Sequence, residues 1–288
     1  MINILVCSFL STIYHFISGL IFSRYFGLKK NNIYYFALIS LCGIVFLSFI
    51  SLILNFFVPL NKITNSLIFI VLFLSVLILY QDTLKNYYKK TFFSYIIFCS
   101  FGTFILILLS GTYNPDSALY HFPYTNIINE NKIIVGISNI HQRFGHISII
   151  QYLNAHHFNF FFGLNGITIP IASIAVYCIF FFLINIYKLN IFSFAKIFAI
   201  LITFYFCWKM NRYSEYGNDA PAHFLFFVSL LIYLNFLENK NFNINECFYL
   251  VALFTIFAFT NKTFLIISLL LPLILFFKFS FKKFLISN

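Results

Sequence analysis

Two aspartates stand where polar stretches of the chain give way to apolar ones. Asp116 lies in Asn-Pro-Asp-Ser at 114–117, and Asp219 lies in Asn-Asp-Ala-Pro at 218–221. Both motifs are typical of turns that open helices. A carboxylate there could take a proton from an acceptor hydroxyl, with the second acid orienting the substrate. The simpler alternative is that both aspartates are only helix caps, and the spacing does not separate the two hypotheses.

Basic and imidazole side chains accompany these acids. Arginine and lysine could hold the phosphate of a leaving group. Five of the seven histidines fall in the first polar stretch, and we expect His121 and His146 to be secondary donors. The candidate phosphate ligands are Lys132, Arg143, Arg212 and Lys262.

The histidine spacing does not favour a metal site. His156 and His157 are adjacent, so on a helix their rings diverge, and His141 and His146 are five residues apart rather than four. The six cysteines include no pair at CxxC spacing. We therefore expect no metal and no cofactor.

The rest of the chain must position these groups in a membrane. Hydrophobic residues make up 61% of the 288 residues and charged residues only 9%, far from the composition of a soluble domain. The apolar runs are continuous, which excludes an outer-membrane barrel, and the composition excludes a disordered chain. At about 20 residues a span, this predicts an all-α polytopic bundle of roughly nine spans.

The predicted spans leave two polar stretches, 111–165 and 209–220, within a single domain of residues 1–288. The segment 147–163 is apolar with polar insertions, which predicts an interfacial helix, although a helix lying on lipid with no chemical role would look the same. The apolar runs are 2–22, 33–60, 66–80, 92–110, 167–187, 191–208, 222–237, 247–260 and 264–277.

The basic residues indicate the orientation. If the N-terminus is outside, twelve of the 18 lysines and arginines fall in inner loops, as cytoplasmic loops require. Both polar stretches then lie on the outer face, and the C-terminus is cytoplasmic. In this setting the net charge of +11 indicates orientation rather than nucleic-acid binding.

The order of the elements resembles the GT-C class of membrane glycosyltransferases, which use a polyprenyl-phosphate sugar donor. In that class an acid in the first outer loop is the catalytic base, followed by an aromatic-rich surface helix. The resemblance covers about 92–275, after three extra spans in 1–91, and the chain is shorter than is usual for the class. It rests on the segment from Asp116 through Gly136, on 212–221, and on 261–263 with Pro272. The segments 116–123 and 139–145 look most like an uncharacterised bacterial branch of large membrane proteins.

The resemblance implies sugar transfer to a lipid or polysaccharide acceptor on the outer face of the bacterial inner membrane. Asp116 would be the base and Asp219 the second acid. The partners would be the polyprenyl-phosphate sugar, the acceptor and membrane lipid. The residues implied in substrate binding are Arg143, Lys262, His121, His146, Arg212 and Tyr120.

Two other functions remain open. A polysaccharide polymerase or flippase would also use a large basic outer loop. A transporter would carry ionisable residues inside its spans, where the candidates here are His15 and Lys196. A buried histidine such as His15 is more often a packed polar residue than a proton relay.

Overall fold

The computed structural model describes residues 1–25, 33–79, 90–109, 116–145, 148–190, 192–208, 217–238 and 243–287. Within these ranges every regular element is helical, which confirms the all-α prediction. The α-helices are α1 (Ile2–Tyr25), α2 (Ile33–Asn55), α3 (Lys62–Leu79), α4 (Lys90–Leu109), α5 (Phe122–Glu130), α6 (Ile149–His156), α7 (Ile169–Lys188), α8 (Phe194–Trp208), α9 (Asp219–Glu238), α10 (Ile244–Asn261) and α11 (Leu270–Ser287).

Six of the described helices are long and apolar enough to cross a membrane, namely α1, α2, α4, α7, α9 and α10. Three shorter apolar helices coincide with the third, sixth and ninth predicted runs: Lys62–Ser75, Phe194–Trp208 and Thr263–Lys278. A count of nine spans therefore stays a prediction.

Helices α1 and α2 pack with their backbones in contact. A Cβ atom on Gly19 would overlap the carbonyl oxygen of Ile39, and one on Gly43 would overlap the carbonyl oxygen of His15. Only glycine permits this approach, as at small-residue crossings of membrane helices. The crossing fixes the backbone at His15, whose side chain points into the core and is fully buried.

Helix α6 corrects the prediction of an interfacial helix for residues 149–156, whereas Phe160 and Phe161 of the predicted segment 147–163 are exposed. Every residue of α6 is buried, and the helix packs against α2, α5, α7 and α10 instead of lying on the bilayer. Among its polar residues, Gln151 and His156 bond to groups inside the bundle rather than facing water. Polar side chains give the same sequence pattern whether they bond to water or to buried protein groups. The sequence pattern alone therefore could not distinguish a surface helix from a buried one.

Candidate functional site

Asp116 forms an ion pair across the first polar stretch. It precedes the π-helical turn Ser117–His121, and its side chain makes no capping hydrogen bond there. Its Oδ1 instead accepts from Arg143 Nη1 at 3.0 Å, and both side chains are 45% exposed. The hypothesis that Asp116 acts only as a helix cap is therefore wrong, because its carboxylate bonds to Arg143 and makes no capping hydrogen bond to the helix that follows.

Arg143 also contacts Tyr120, because its guanidinium carbon lies 4.9 Å from the centre of the Tyr120 ring. Such a cation–aromatic contact orients the guanidinium without neutralising it. Burial raises the pKa of the Tyr120 hydroxyl, and Asp116 raises it further. Tyr120 therefore serves as a neutral hydroxyl beside the Asp116–Arg143 pair.

Asp219 forms the second ion pair. It is the first residue of α9, and its Oδ1 lies 2.6 Å from Nζ of Lys262, the residue that follows α10. Asp219 is 61% exposed and Lys262 is 37% exposed. Each predicted acid is thus paired with one of the predicted phosphate ligands.

His121 connects the two pairs. The side chain is only 4% exposed, and burial lowers its pKa to about 4, against upward effects from both Asp116 and Asp219. Both carboxylates must lie close to the ring to act on it, because Coulomb interactions weaken with distance. The structure thus brings Asp116, Asp219, Arg143, Lys262, His121 and Tyr120 into one region.

Asn261 fastens the elements that carry these groups. Its Oδ1 accepts from the backbone N–H of Ile150 at 2.9 Å, at the start of α6. Its carbonyl oxygen accepts from Asn218 Nδ2 at 3.1 Å, next to Asp219. The end of α10 therefore positions both the α6 side and the Asp219 side of the site. Asn261 entered the predictions only within the segment 261–263 of the resemblance, and nothing in the sequence reveals these two bonds.

Two of the predicted site residues, His146 and Arg212, lie outside the described residues. Of the remaining cationic candidates, Lys132 is exposed. Among the described residues, no group of three or more His, Cys, Asp or Glu side chains is placed to hold a metal ion.

A second polar centre, which we term the buried histidine cluster, lies at the other end of α6. It consists of Tyr14, His15, His156, His157 and Tyr177, all fully buried. The Tyr14 hydroxyl lies 2.7 Å from His156 Nε2, while His157 Nε2 lies 2.9 Å from His15 Nε2. The neighbouring rings of His156 and His157 thus diverge to different partners, as their adjacency predicts.

The hydrogen bonds of the cluster have a defined direction. The Leu153 carbonyl can only accept, so His157 Nδ1, at 2.9 Å from it, carries the proton. In a neutral ring His157 Nε2 is then bare and accepts from His15 Nε2–H. His15 Nδ1 is left to accept from the Tyr177 hydroxyl at 3.0 Å. The chain ends on a backbone carbonyl, which has no proton to pass on, so it suits a structural lock better than a relay.

The whole chain belongs to a family whose function is not assigned. Residues 1–287 match the family described as Domain of unknown function (DUF8201). The comparison with curated proteins finds no match, and neither does the comparison with solved structures.

Proposed function

We propose that this protein is a membrane glycosyltransferase that moves a sugar from a polyprenyl-phosphate donor to a lipid or polysaccharide acceptor. The observation that carries the proposal is the pair of half-exposed carboxylate–cation contacts, Asp116–Arg143 and Asp219–Lys262, placed around His121. A site that must bind an anionic phosphate and accept a proton needs both kinds of group, and this region supplies two of each.

Exposed ion pairs of this kind are held weakly, so a phosphate can replace the carboxylate as partner of the cation. Such pairs contribute about 0–1 kcal/mol, whereas arginine binds phosphate through two parallel hydrogen bonds. In the proposed reaction Arg143 and Lys262 turn to the donor phosphate. Asp116 is then released to act on the acceptor.

The transfer step balances without a cofactor. The acceptor oxygen bonds to the anomeric carbon as the bond from that carbon to the phosphate oxygen breaks. Polyprenyl phosphate leaves with the electron pair, held by Arg143 and Lys262. Asp116 takes the proton of the acceptor hydroxyl, and Asp219 orients the sugar or Lys262.

The proposed setting is the bacterial inner membrane, with nine spans, the N-terminus outside and the C-terminus in the cytoplasm. The six long apolar helices and three shorter ones support it, together with the excess of basic residues in the predicted inner loops. With the N-terminus outside, four predicted spans precede the first polar stretch, six precede Asp219 and eight precede Lys262, so both ion pairs belong to the outer face.

Of the two rival functions, the transporter is the one that a structural observation bears on most directly. His15 is fully buried within α1, as a proton-carrying residue would be. Both its ring nitrogens are engaged, by Tyr177 and His157, in a chain that ends on a carbonyl. That arrangement argues against a proton relay through His15 and therefore against the transporter. Binding of carrier-linked oligosaccharide in place of carrier-linked monosaccharide would favour the polymerase or flippase.

The test compares Asp116→Asn with Asp116→Ala in membranes that contain labelled polyprenyl-phosphate sugar. Both variants should lose about 10²–10⁴-fold in transfer rate, since each removes the proton acceptor. Both should change the free energy of unfolding by less than about 1 kcal/mol, because the Asp116–Arg143 pair is 45% exposed at both side chains.

The matched control is Glu130→Gln. Glu130 is an exposed acid in the same polar stretch, and its carboxylate accepts from Asn126. This variant should transfer at the wild-type rate. Full turnover in Asp116→Asn would remove Asp116 from the mechanism and leave the proposal without a base.

A further inference from the structure

The orientation of the Gln151 amide is fixed by a backbone group. The N–H of Ser148 donates to Gln151 Oε1 at 3.2 Å. A backbone N–H can only donate, so the atom facing it is the oxygen of the amide. The Gln151 nitrogen, Nε2, therefore points the other way, and it lies 3.1 Å from His121 Nδ1.

This orientation determines which nitrogen of His121 carries the proton. An amide nitrogen donates and does not accept, so His121 Nδ1 must be bare to receive the bond. A neutral imidazole with a bare Nδ1 carries its proton on Nε2. Burial, which lowers the pKa of His121 to about 4, keeps the ring neutral at physiological pH.

The protonated nitrogen is then the one left for a ligand. His121 Nε2 forms no hydrogen bond with any of the residues that the structure describes, whereas Nδ1 is held by Gln151. The same ring lies near Asp116, Asp219 and Arg143. An N–H donor beside the Arg143 guanidinium suits an oxygen of a phosphate that has replaced Asp116 as the partner of that cation.

We propose that Gln151 is a positioning residue that holds His121 in the Nε2–H tautomer, and that His121 Nε2–H donates to a phosphate oxygen of the bound lipid donor. This inference rests on the proposed function for the identity of the ligand. It gives His121 the role of a neutral donor and leaves the proton acceptance to Asp116. Gln151 is held by the N–H of Ser148 at the start of α6. The N–H of Ile150, in the same turn, donates to Asn261.

The tautomer is measurable without any turnover. The full chain, labelled with ¹⁵N in its histidines, is studied in detergent micelles by two-dimensional NMR, and the His121→Gln spectrum identifies the His121 signals. Wild-type His121 should show a protonated Nε2 and a bare Nδ1 at neutral pH. A protonated Nδ1 with a bare Nε2 would overturn the inference.

The decisive variant is Gln151→Glu, which keeps the shape of the side chain. Above the pKa of the new carboxyl group, one carboxylate oxygen still accepts from Ser148, while the other faces His121 Nδ1 and requires a proton there. The His121 signals should change to the Nδ1–H form or to the imidazolium. The control Gln142→Glu adds the same charge at an exposed position and should leave them unchanged.

A second variant covers the case in which Gln151→Glu does not fold. Gln151→Met removes both the donor and the acceptor, and should give a mixture of the two His121 tautomers. A pure Nε2–H signal in either folded variant would show that Gln151 does not set the tautomer, and would overturn that part of the inference.

Ligand contact is tested with farnesyl phosphate as the probe. Titration should shift the His121 Nε2 signal. If His121 in Gln151→Glu is in the Nδ1–H form, binding should weaken by about 10-fold, the loss expected for one hydrogen bond to a charged group. The imidazolium form keeps the Nε2–H donor and should bind the probe at least as well as the wild type. An unmoved Nε2 signal at saturation would overturn the donor assignment. Equal shifts with inorganic phosphate would keep the donor and remove the lipid chain from recognition.

The same titration in Asp116→Asn separates this inference from the proposed function. The tautomer and the shift should persist there although transfer is lost. If the wild-type protein also transfers no sugar while its tautomer and its shift are both observed, the glycosyltransferase proposal is refuted and the donor assignment stands.

Discussion

Two polar centres lie at opposite ends of the short helix α6, and they are built on opposite principles. At its start, the two ion pairs and His121 form a charged region whose acids are about half exposed. At its end, the buried histidine cluster is neutral and shut off from solvent. Both centres join residues that are remote in the sequence, through one eight-residue helix that is buried throughout.

The difference separates stability from reactivity. A buried hydrogen bond cannot be replaced by water, so the loss of one partner leaves a desolvated group and costs about 1–3 kcal/mol. An exposed ion pair can be replaced by water or by a ligand, so it contributes little to folding. The cluster is thus suited to hold α6 in place, and the ion pairs are suited to exchange partners. Four predictions test this division.

The largest effect is expected at Gly166, which supports the cluster. A Cβ atom there would overlap the carbonyl oxygen of His157, so Gly166→Ala must displace the chain that carries that ring. We expect a loss of more than about 3 kcal/mol in the free energy of unfolding, as in severe overpacking. Unfolding in mixed micelles measures it. Gly217→Ala is the control, because a Cβ at Gly217 meets no atom within 4 Å.

The second largest loss of stability is expected on acidification. Burial lowers the pKa of His157 to about 4 and that of His156 to about 3, against about 6.5 in the unfolded chain. The unfolded state then binds more protons, so stability is complete above pH 6.5 and falls as the pH drops towards 4.

Between pH 7.5 and 5, each of these histidines should lose on the order of 2 kcal/mol of its stabilisation. Melting temperatures across this range give the slope. His141→Gln should not change it, because His141 is exposed. A stability that is constant from pH 7.5 to 5 would show that folding does not lower the pKa of these histidines.

Tyr14→Phe should have an intermediate effect. It removes the hydroxyl that lies 2.7 Å from His156 Nε2 and changes little else in shape. We expect a loss of about 1–3 kcal/mol in the free energy of unfolding. Tyr187→Phe is the matched control at an 89% exposed tyrosine and should be neutral. Equal free energies of unfolding in the two variants would show that the Tyr14–His156 hydrogen bond does not stabilise the fold.

The smallest effect on folding is expected at the second ion pair. Lys262→Met should change the free energy of unfolding by less than about 1 kcal/mol, since both partners are at least 37% exposed. The same variant should weaken binding of farnesyl phosphate. A loss of stability as large as that of Tyr14→Phe would show that the ion pair stabilises the fold as much as the buried cluster does, against the proposed division.

The sequence predicted the helical class and the positions of Asp116 and Asp219, because both depend on local patterns of composition and turns. It also supplied Arg143, Lys262 and His121 as candidates, though not which acid each cation pairs with. Those pairings depend on the tertiary fold, which brings Arg143 and Lys262 close to the two acids, and no local sequence pattern predicts such long-range contacts.

Gln151, Asn261 and the role of His15 could not be predicted for a related reason. Their partners lie 30, 111 and 142 residues away in the chain. The amphipathic pattern around Gln151 favoured a helix at the membrane surface, and only the packing of α6 against α2 and α10 shows that the polar side chains turn inward. A buried polar residue with a distant partner looks in sequence like one that faces solvent.

The glycine crossing of α1 and α2 also sets an order of events during synthesis. These helices are neighbours in the chain, so they can dock as a hairpin soon after both leave the ribosome. Tyr14 and His15 must then wait for partners that are translated 142 residues later. In that interval the nascent chain carries an aromatic hydroxyl and an imidazole in apolar surroundings without their final bonds. The insertion machinery, or another helix, must shelter them until α6 arrives.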